Sequence, residues 1–208
     1  MVTGSCGACV VLVSKYDSKL KKVEDYSVSS CITFLCSLNS RSITTSEGLR
    51  NSRDGFQSIH ERFAGFHASQ CGLCTPGMCM SFFSALINAD KGNKPDTPPR
   101  FSKLTSSEAE KAIAGNLCRC TGCRSIADAC KTFAADVDIE DLELNSYWKR
   151  GDSMEMKVSK LPPYDPTKNF KTYPEFLKSE SATILDSTRY SWYSPDKGNK
   201  PDPPPGFS

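Results

Sequence analysis

The 208-residue chain carries 26 basic and 24 acidic residues, a net charge of +2, and 38% hydrophobic residues. Acids and bases are interspersed, so the charge implies neither a nucleic acid nor a membrane surface as partner. No run approaches the ~18 apolar residues that span a bilayer, and the N-terminus has no basic stretch ahead of an apolar one. A soluble, cytoplasmic chain is the expectation.

The first region, residues 1–50, reads as strands and turns. Val10-Val11-Leu12-Val13 is apolar and β-branched, Ser14 to Ser18 is a polar exit, and Thr33-Phe34-Leu35 and Ser42-Ile43-Thr44-Thr45 supply further strand-like segments. From 53 to 137 the period becomes helical. Phe56, Ile59, Phe63 and Phe66 recur at three- and four-residue intervals. Thr75-Pro76 predicts an N-cap followed by proline at the first helical position, with Met78, Phe82, Phe83, Leu86 and Ile87 inward.

A polar, proline-rich loop covers Asn88 to Ser102. Thr105-Ser106-Ser107-Glu108 then has the capping-box pattern, with Ala109, Ala112 and Ile113 inward and Gly115 placed to end that helix. A fourth helix carries Ile126, Cys130, Phe133 and Ala134 on one face. Four short helices with such faces predict a small bundle. Residues 138–208 read as mostly irregular linker without a core of its own, interrupted by a helical candidate at Tyr173–Leu177. Asp90 to Ser102 returns as Asp196 to Ser208 with differences only at Pro203 and Gly206. One copied loop is no solenoid period and points to a rearranged reading frame.

Eleven cysteines without a secretion signal, odd in number and closely grouped, argue for metal ligation over a disulfide framework. Cys71-Gly72-Leu73-Cys74 and Cys118-Arg119-Cys120 pair a Cys-x-x-Cys with a Cys-x-Cys across 43 intervening residues. Four thiolates on two tight turns select zinc, copper(I) or an iron–sulfur cluster. The first turn precedes the second helix and the other lies between helices three and four, so antiparallel helices would bring them together. Cys123 makes a second Cys-x-x-Cys with Cys120, which leaves a Cys71/Cys74/Cys120/Cys123 zinc site as the alternative. Cys6, Cys9 and Cys31 match the last three ligands of the plant-ferredoxin spacing, and Met1 stands where the first would be. Cys36 is the nearest spare thiol, read as core filler, and Cys79 and Cys130 read as packing residues within helices. His60 and His67 have no ligand partner at useful spacing and read as surface or capping residues.

Three stretches in order carry a family resemblance: Cys6-Gly7-Ala8-Cys9-Val10-Val11, Ser69-Gln70-Cys71-Gly72-Leu73-Cys74-Thr75-Pro76-Gly77-Met78, and Gly115-Asn116-Leu117-Cys118-Arg119-Cys120-Thr121-Gly122. They resemble the iron–sulfur portion of the molybdenum hydroxylases, the family of xanthine dehydrogenases and aldehyde oxidases. The match extends over about residues 4–137, and Phe133 to Leu142 looks particularly like plant aldehyde oxidases. Tyr190-Ser191-Trp192-Tyr193-Ser194-Pro195 resembles the entry to their flavin domain.

The resemblance implies an α+β chain: a partial β-grasp ferredoxin-like domain (1–50), a helical [2Fe–2S]-binding domain (53–137), and linker leading to a missing flavin domain (138–208). Carried over by position, Cys71, Cys74, Cys118 and Cys120 ligate the helical-domain cluster. Gln70 and Cys120 would lie beside the pterin, and Cys6, Cys9 and Cys31 would be three of the four ligands of the ferredoxin-type cluster. Cys123 stands where the family usually has tyrosine. In the family, electrons leave a molybdopterin-bound molybdenum, cross two [2Fe–2S] clusters and reach FAD, within a homodimer. The expected function is that electron-transfer part of an aldehyde oxidase-like enzyme, truncated at both ends and without turnover alone. The alternative is an inactive metal-binding fragment, iron–sulfur or zinc, without redox partners.

Overall fold

The computed structural model describes residues 4–50, 55–92, 94–138, 142, 163–168 and 173–178. Met1, Trp148, Trp192, the flavin-entry motif at 190–195 and the second copy of the 90–102 loop lie outside the described residues.

The chain is α+β. Strands β1 (Val10–Asp17) and β2 (Lys22–Ser29) form an antiparallel hairpin, and β3 (Arg41–Thr44) pairs antiparallel with the other edge of β1, giving the order β2-β1-β3. The register pairs Val13 with Tyr26 on one side and Ile43 on the other. The Asp17 carboxylate closes the hairpin turn by accepting the backbone N–H of Lys19 at 2.8 Å and of Leu20 at 3.2 Å. This is the local chemistry that makes Asp a turn former. The expected strand at Thr33–Leu35 is instead the junction between two short 3-10 turns, Ser30–Ile32 and Leu35–Leu38. Phe34 and Leu35 face outward there, so β-propensity finds no neighbouring strand to pair with.

Among the described residues up to 138, five helices follow: α1 (Ser46–Leu49), α2 (Ser58–Gly65), α3 (Thr75–Lys91), α4 (Ser106–Lys111) and α5 (Arg124–Lys131). Helix α3 is the axis of the molecule. Met78, Met80, Phe82 and Leu86 are fully buried along it, and it packs on β1, β2, α1 and α2. A helix apolar on most sides is one enclosed on most sides. One core cluster runs from Leu12 on β1 and Leu49 on α1 through Ile59, Phe63, Phe82, Ile126 and Phe133. The edge of Phe133 meets the Phe82 ring at 5.1 Å between centroids. Buried Arg62 lies over the Phe133 ring at 3.8 Å and donates to the Thr132 carbonyl at 2.7 Å, locking α2 to the end of α5.

The capping box at α4 forms as expected. The Thr105 hydroxyl accepts from the Glu108 N–H, and the Glu108 carboxylate accepts from the Thr105 N–H. Two helix starts differ from expectation by a residue or two. Helix α2 begins after Gln57, leaving Phe56 outside it and exposed, and α3 takes Cys74 rather than Thr75 as its N-cap. Beyond residue 138 the described pieces dock on this core. Buried Tyr164 packs edge-on against Phe133 at 5.7 Å and donates its hydroxyl to Asp90. Tyr173 stacks on Tyr16 and donates to the Ser40 carbonyl at 3.1 Å, ahead of one helical turn at 175–178.

Replacing Thr105 with alanine removes the cap and costs about 1 kcal/mol of stability at neutral pH, read from the urea midpoint. The Lys94 ammonium and the Thr105 N–H hold the Glu108 carboxyl at about 2, below its ordinary 4.5. The stabilisation from that ion pair is therefore full above pH 4.5 and disappears as pH falls through about 2. Because both side chains are more than a third exposed, it contributes under about 1 kcal/mol, and Glu108→Gln flattens the acid limb of the urea midpoint against pH by no more than that.

Candidate metal centre

Two tight turns face each other at the N-terminal end of α3. In the first, Cys71 and Cys74 flank Gly72-Leu73, and the Thr75 N–H returns to the Gly72 carbonyl at 3.3 Å. The Leu73 N–H points at the Cys71 sulfur, and this bond, with a further one to Cys120, lowers the Cys71 pKa. In the second, the Thr121 N–H and hydroxyl both reach the Cys118 sulfur, at 3.5 and 3.0 Å. Burial works to raise the Cys118 pKa, and the Thr121 bonds outweigh it. Backbone N–H groups aimed at sulfur are the feature that offsets thiolate charge in a metal centre.

The four thiols meet as two pairs. Cys71 hydrogen-bonds with Cys120, whose pKa rises because of that bond, and Cys74 interacts with Cys118. Burial, with the Cys118 thiol second, pushes Cys74 up to about 11. Electrostatic interaction also links Cys71 with Cys118 and with Cys74, so the pairs belong to one cluster. Among the described residues no group of three or more His, Cys, Asp or Glu side chains gathers as a single-ion site. Cys123 stands apart from both pairs. It caps α5 in a left-handed conformation (φ 65°), and its Sγ donates to the Cys118 carbonyl at 3.8 Å.

The first cysteine loop is only partly gathered. Cys9 and Cys31 hydrogen-bond, with the Cys31 N–H and the Ser30 hydroxyl lowering the Cys9 pKa, while Cys31 is raised by its bond with Cys9. Cys6 lies within electrostatic range of Cys31. Cys36 is exposed, which corrects its expected place in the core, whereas Cys79 and Cys130 are buried as packing residues. Gln70 is exposed beside Cys71, and Cys120 is exposed as well. Burial lowers the pKa of half-buried His60, and His67 is exposed.

What joins the loops came from residues that the cysteine spacing passes over. The Leu117 N–H donates to the Cys6 carbonyl at 2.9 Å. Buried Asn116 donates its amide to the Gly7 carbonyl at 2.8 Å, and its own carbonyl accepts from the Ser81 hydroxyl at 2.8 Å. Gly7 has φ +70°, and a Cβ there would fall 2.5 Å from the Asn116 amide. At Gly77 on α3 a Cβ would fall 2.0 Å from the Gly7 carbonyl oxygen. Both glycines are required by close approach. The sequence signal was present in Gly77, one residue after the Thr-Pro helix start, but it names no partner.

Residues 45–131 match the family model described as [2Fe-2S] binding domain. The chain is 58% identical over 195 residues to aldehyde oxidase 4 of Arabidopsis thaliana and 55% identical over 194 residues to abscisic-aldehyde oxidase of the same plant. Each match covers 92% of this chain and 14% of the relative, so the chain spans about one seventh of the relatives' length. Among solved structures, quinoline 2-oxidoreductase from Pseudomonas putida 86 is 28% identical with a TM-score of 0.47, covering 71% of this chain and 73% of that one. The paired thiols thus lie within a [2Fe-2S] binding domain, and the chain around it is similar to one part of plant aldehyde oxidases.

Proposed function

We propose that this chain is the electron-transfer part of an aldehyde oxidase-like enzyme, with Cys71, Cys74, Cys118 and Cys120 holding one [2Fe–2S] cluster. The observation that carries the reading is the match of residues 45–131, which contain all four thiols, to a [2Fe-2S] binding domain, with the thiols brought together across two turns. When bound, such a cluster supplies reversible one-electron storage. The chain's own residues do the rest. Leu73 and Thr121 present N–H groups to the sulfurs, and Cys74 at the start of α3 lies half-shielded from water while Cys71 and Cys120 face outward.

Cys6, Cys9 and Cys31 are assigned as three ligands of a second, ferredoxin-type centre. In this reading residues 1–50 form a partial β-grasp unit, 53–137 a four-helix cluster-binding bundle, and 138–208 a linker. Electrons would pass from a molybdopterin centre, with Gln70 and Cys120 at its edge, toward FAD on other parts of a longer, homodimeric, cytoplasmic enzyme. The exposure of Gln70 and Cys120 supports that placement, because a relay needs its donor-facing ligand at the surface. No helix among the described residues is long and apolar enough to cross a membrane.

Anaerobic reconstitution with ferrous iron and sulfide tests the assignment. The chain should turn brown and take up at least two irons and two sulfides, as expected of a [2Fe–2S] centre. Cys74→Ser should lose that uptake and Cys123→Ser should keep it. A colourless, zinc-loaded protein that depends on Cys123 would overturn the reading. The chain alone should show no aldehyde oxidation in a dye-reduction assay.

A further inference from the structure

Gly7 and Asn116 lie 109 residues apart in sequence, yet through them the Cys6–Cys9 loop and the Cys118–Cys120 turn share one seam. Three contacts make it. The backbone of Cys6 accepts from Leu117, the residue before Cys118. The backbone of Gly7 accepts from the Asn116 side chain, which is buried and held from behind by Ser81 of α3. Gly77, three residues after Cys74, presses directly on the Gly7 carbonyl. Every element of the seam is therefore within three residues of a thiol in one group or the other, except Ser81, which orients the amide.

We infer that Asn116 is a positioning residue that couples the two cysteine groups, so that filling the Cys71/Cys74/Cys118/Cys120 centre orders the Cys6–Cys9 loop. The inference rests on the proposed [2Fe–2S] reading for the loaded state, and the seam itself is already formed without it. The physical basis is short. A centre that fixes Cys118 also fixes Asn116 and Leu117, two donors whose acceptors both belong to the other loop. With its amide oxygen occupied by Ser81 and its amide nitrogen by Gly7, Asn116 has no second orientation that satisfies both bonds. Leaving either group unpaired in a buried place is unfavourable. Order at one turn therefore propagates to the other through a contiguous set of contacts.

Hydrogen exchange read by mass spectrometry tests this on the whole chain, before and after iron–sulfide reconstitution. In the wild type, loading should slow exchange of the amides at 6–10 by about tenfold, the size of an ordinary inter-site coupling. Asn116→Asp keeps the shape and the Ser81 acceptor but sets a carboxylate against the Gly7 carbonyl. It should speed exchange at 6–10 and at Leu117 in the unloaded protein, and abolish the slowing on loading while the visible spectrum is retained. A merely structural role would speed exchange in the β1–β2 hairpin equally. If Asn116→Asp does so, Ser81→Ala decides, since it frees the amide without adding charge; it should weaken the slowing at 6–10 and leave the hairpin unchanged. Iron uptake with equal slowing in wild type and both variants would overturn the coupling. A wild type that takes up no iron would instead sink the proposed function, and equal exchange at 6–10 in unloaded wild type and Asn116→Asp would separately overturn the positioning role.

Discussion

The contact on which the arrangement depends is the backbone of Gly7 held between α3 and Asn116. On one side the Gly7 oxygen approaches Gly77 so closely that a methyl group there would sit 2.0 Å away. On the other it receives the Asn116 amide at 2.8 Å in a buried setting. The loop carrying Cys6 and Cys9 is thereby fixed against the start of the helix that follows Cys74, and against the turn that carries Cys118 and Cys120. Without that contact the sheet would still pack on α3 through Leu12, but its cysteine loop would have no defined place relative to the other turn. One buried hydrogen bond of this kind contributes about 1 kcal/mol net. Its larger effect is to select one arrangement among several.

Burial sorts the eleven thiols by task. Cys79 on α3 and Cys130 on α5 are both buried, and loss of solvation pushes the Cys79 thiol up to about 12 and the Cys130 thiol up as well. The pairs at the two turns differ in that N–H groups meet their sulfurs and solvent reaches one member of each loop group. Cys123 is intermediate. It lies near Cys118, but its sulfur turns to a carbonyl rather than to the other thiols.

Much of this was legible in the sequence, and the reasons for the rest are specific. The apolar, β-branched run at Val10–Val13, the capping box at Thr105 and Glu108, and the apolar stripe of α3 are local patterns, and each produced its element. The strand expected at Thr33–Leu35 failed because pairing is decided by the partner: Ser30 to Leu38 turns twice and leaves Phe34 and Leu35 exposed. Phe56 followed the helical period but fell before the Gln57 cap. The linker's docking through Tyr164 and Tyr173 was invisible for the same reason, since Asp90 and Ser40, their partners, are distant in sequence. At the site, spacing named the thiols. It could not name Asn116 or Ser81, whose importance is purely one of contact.

Iron K-edge X-ray absorption of the anaerobically reconstituted chain distinguishes thiols shared between two irons from four thiols around one ion. Each iron should have only sulfur ligands, and an iron–iron scattering shell should be present in the wild type and in Cys123→Ser. A sulfur shell with no metal neighbour, or iron displaced by zinc at that site, would contradict the [2Fe–2S] assignment.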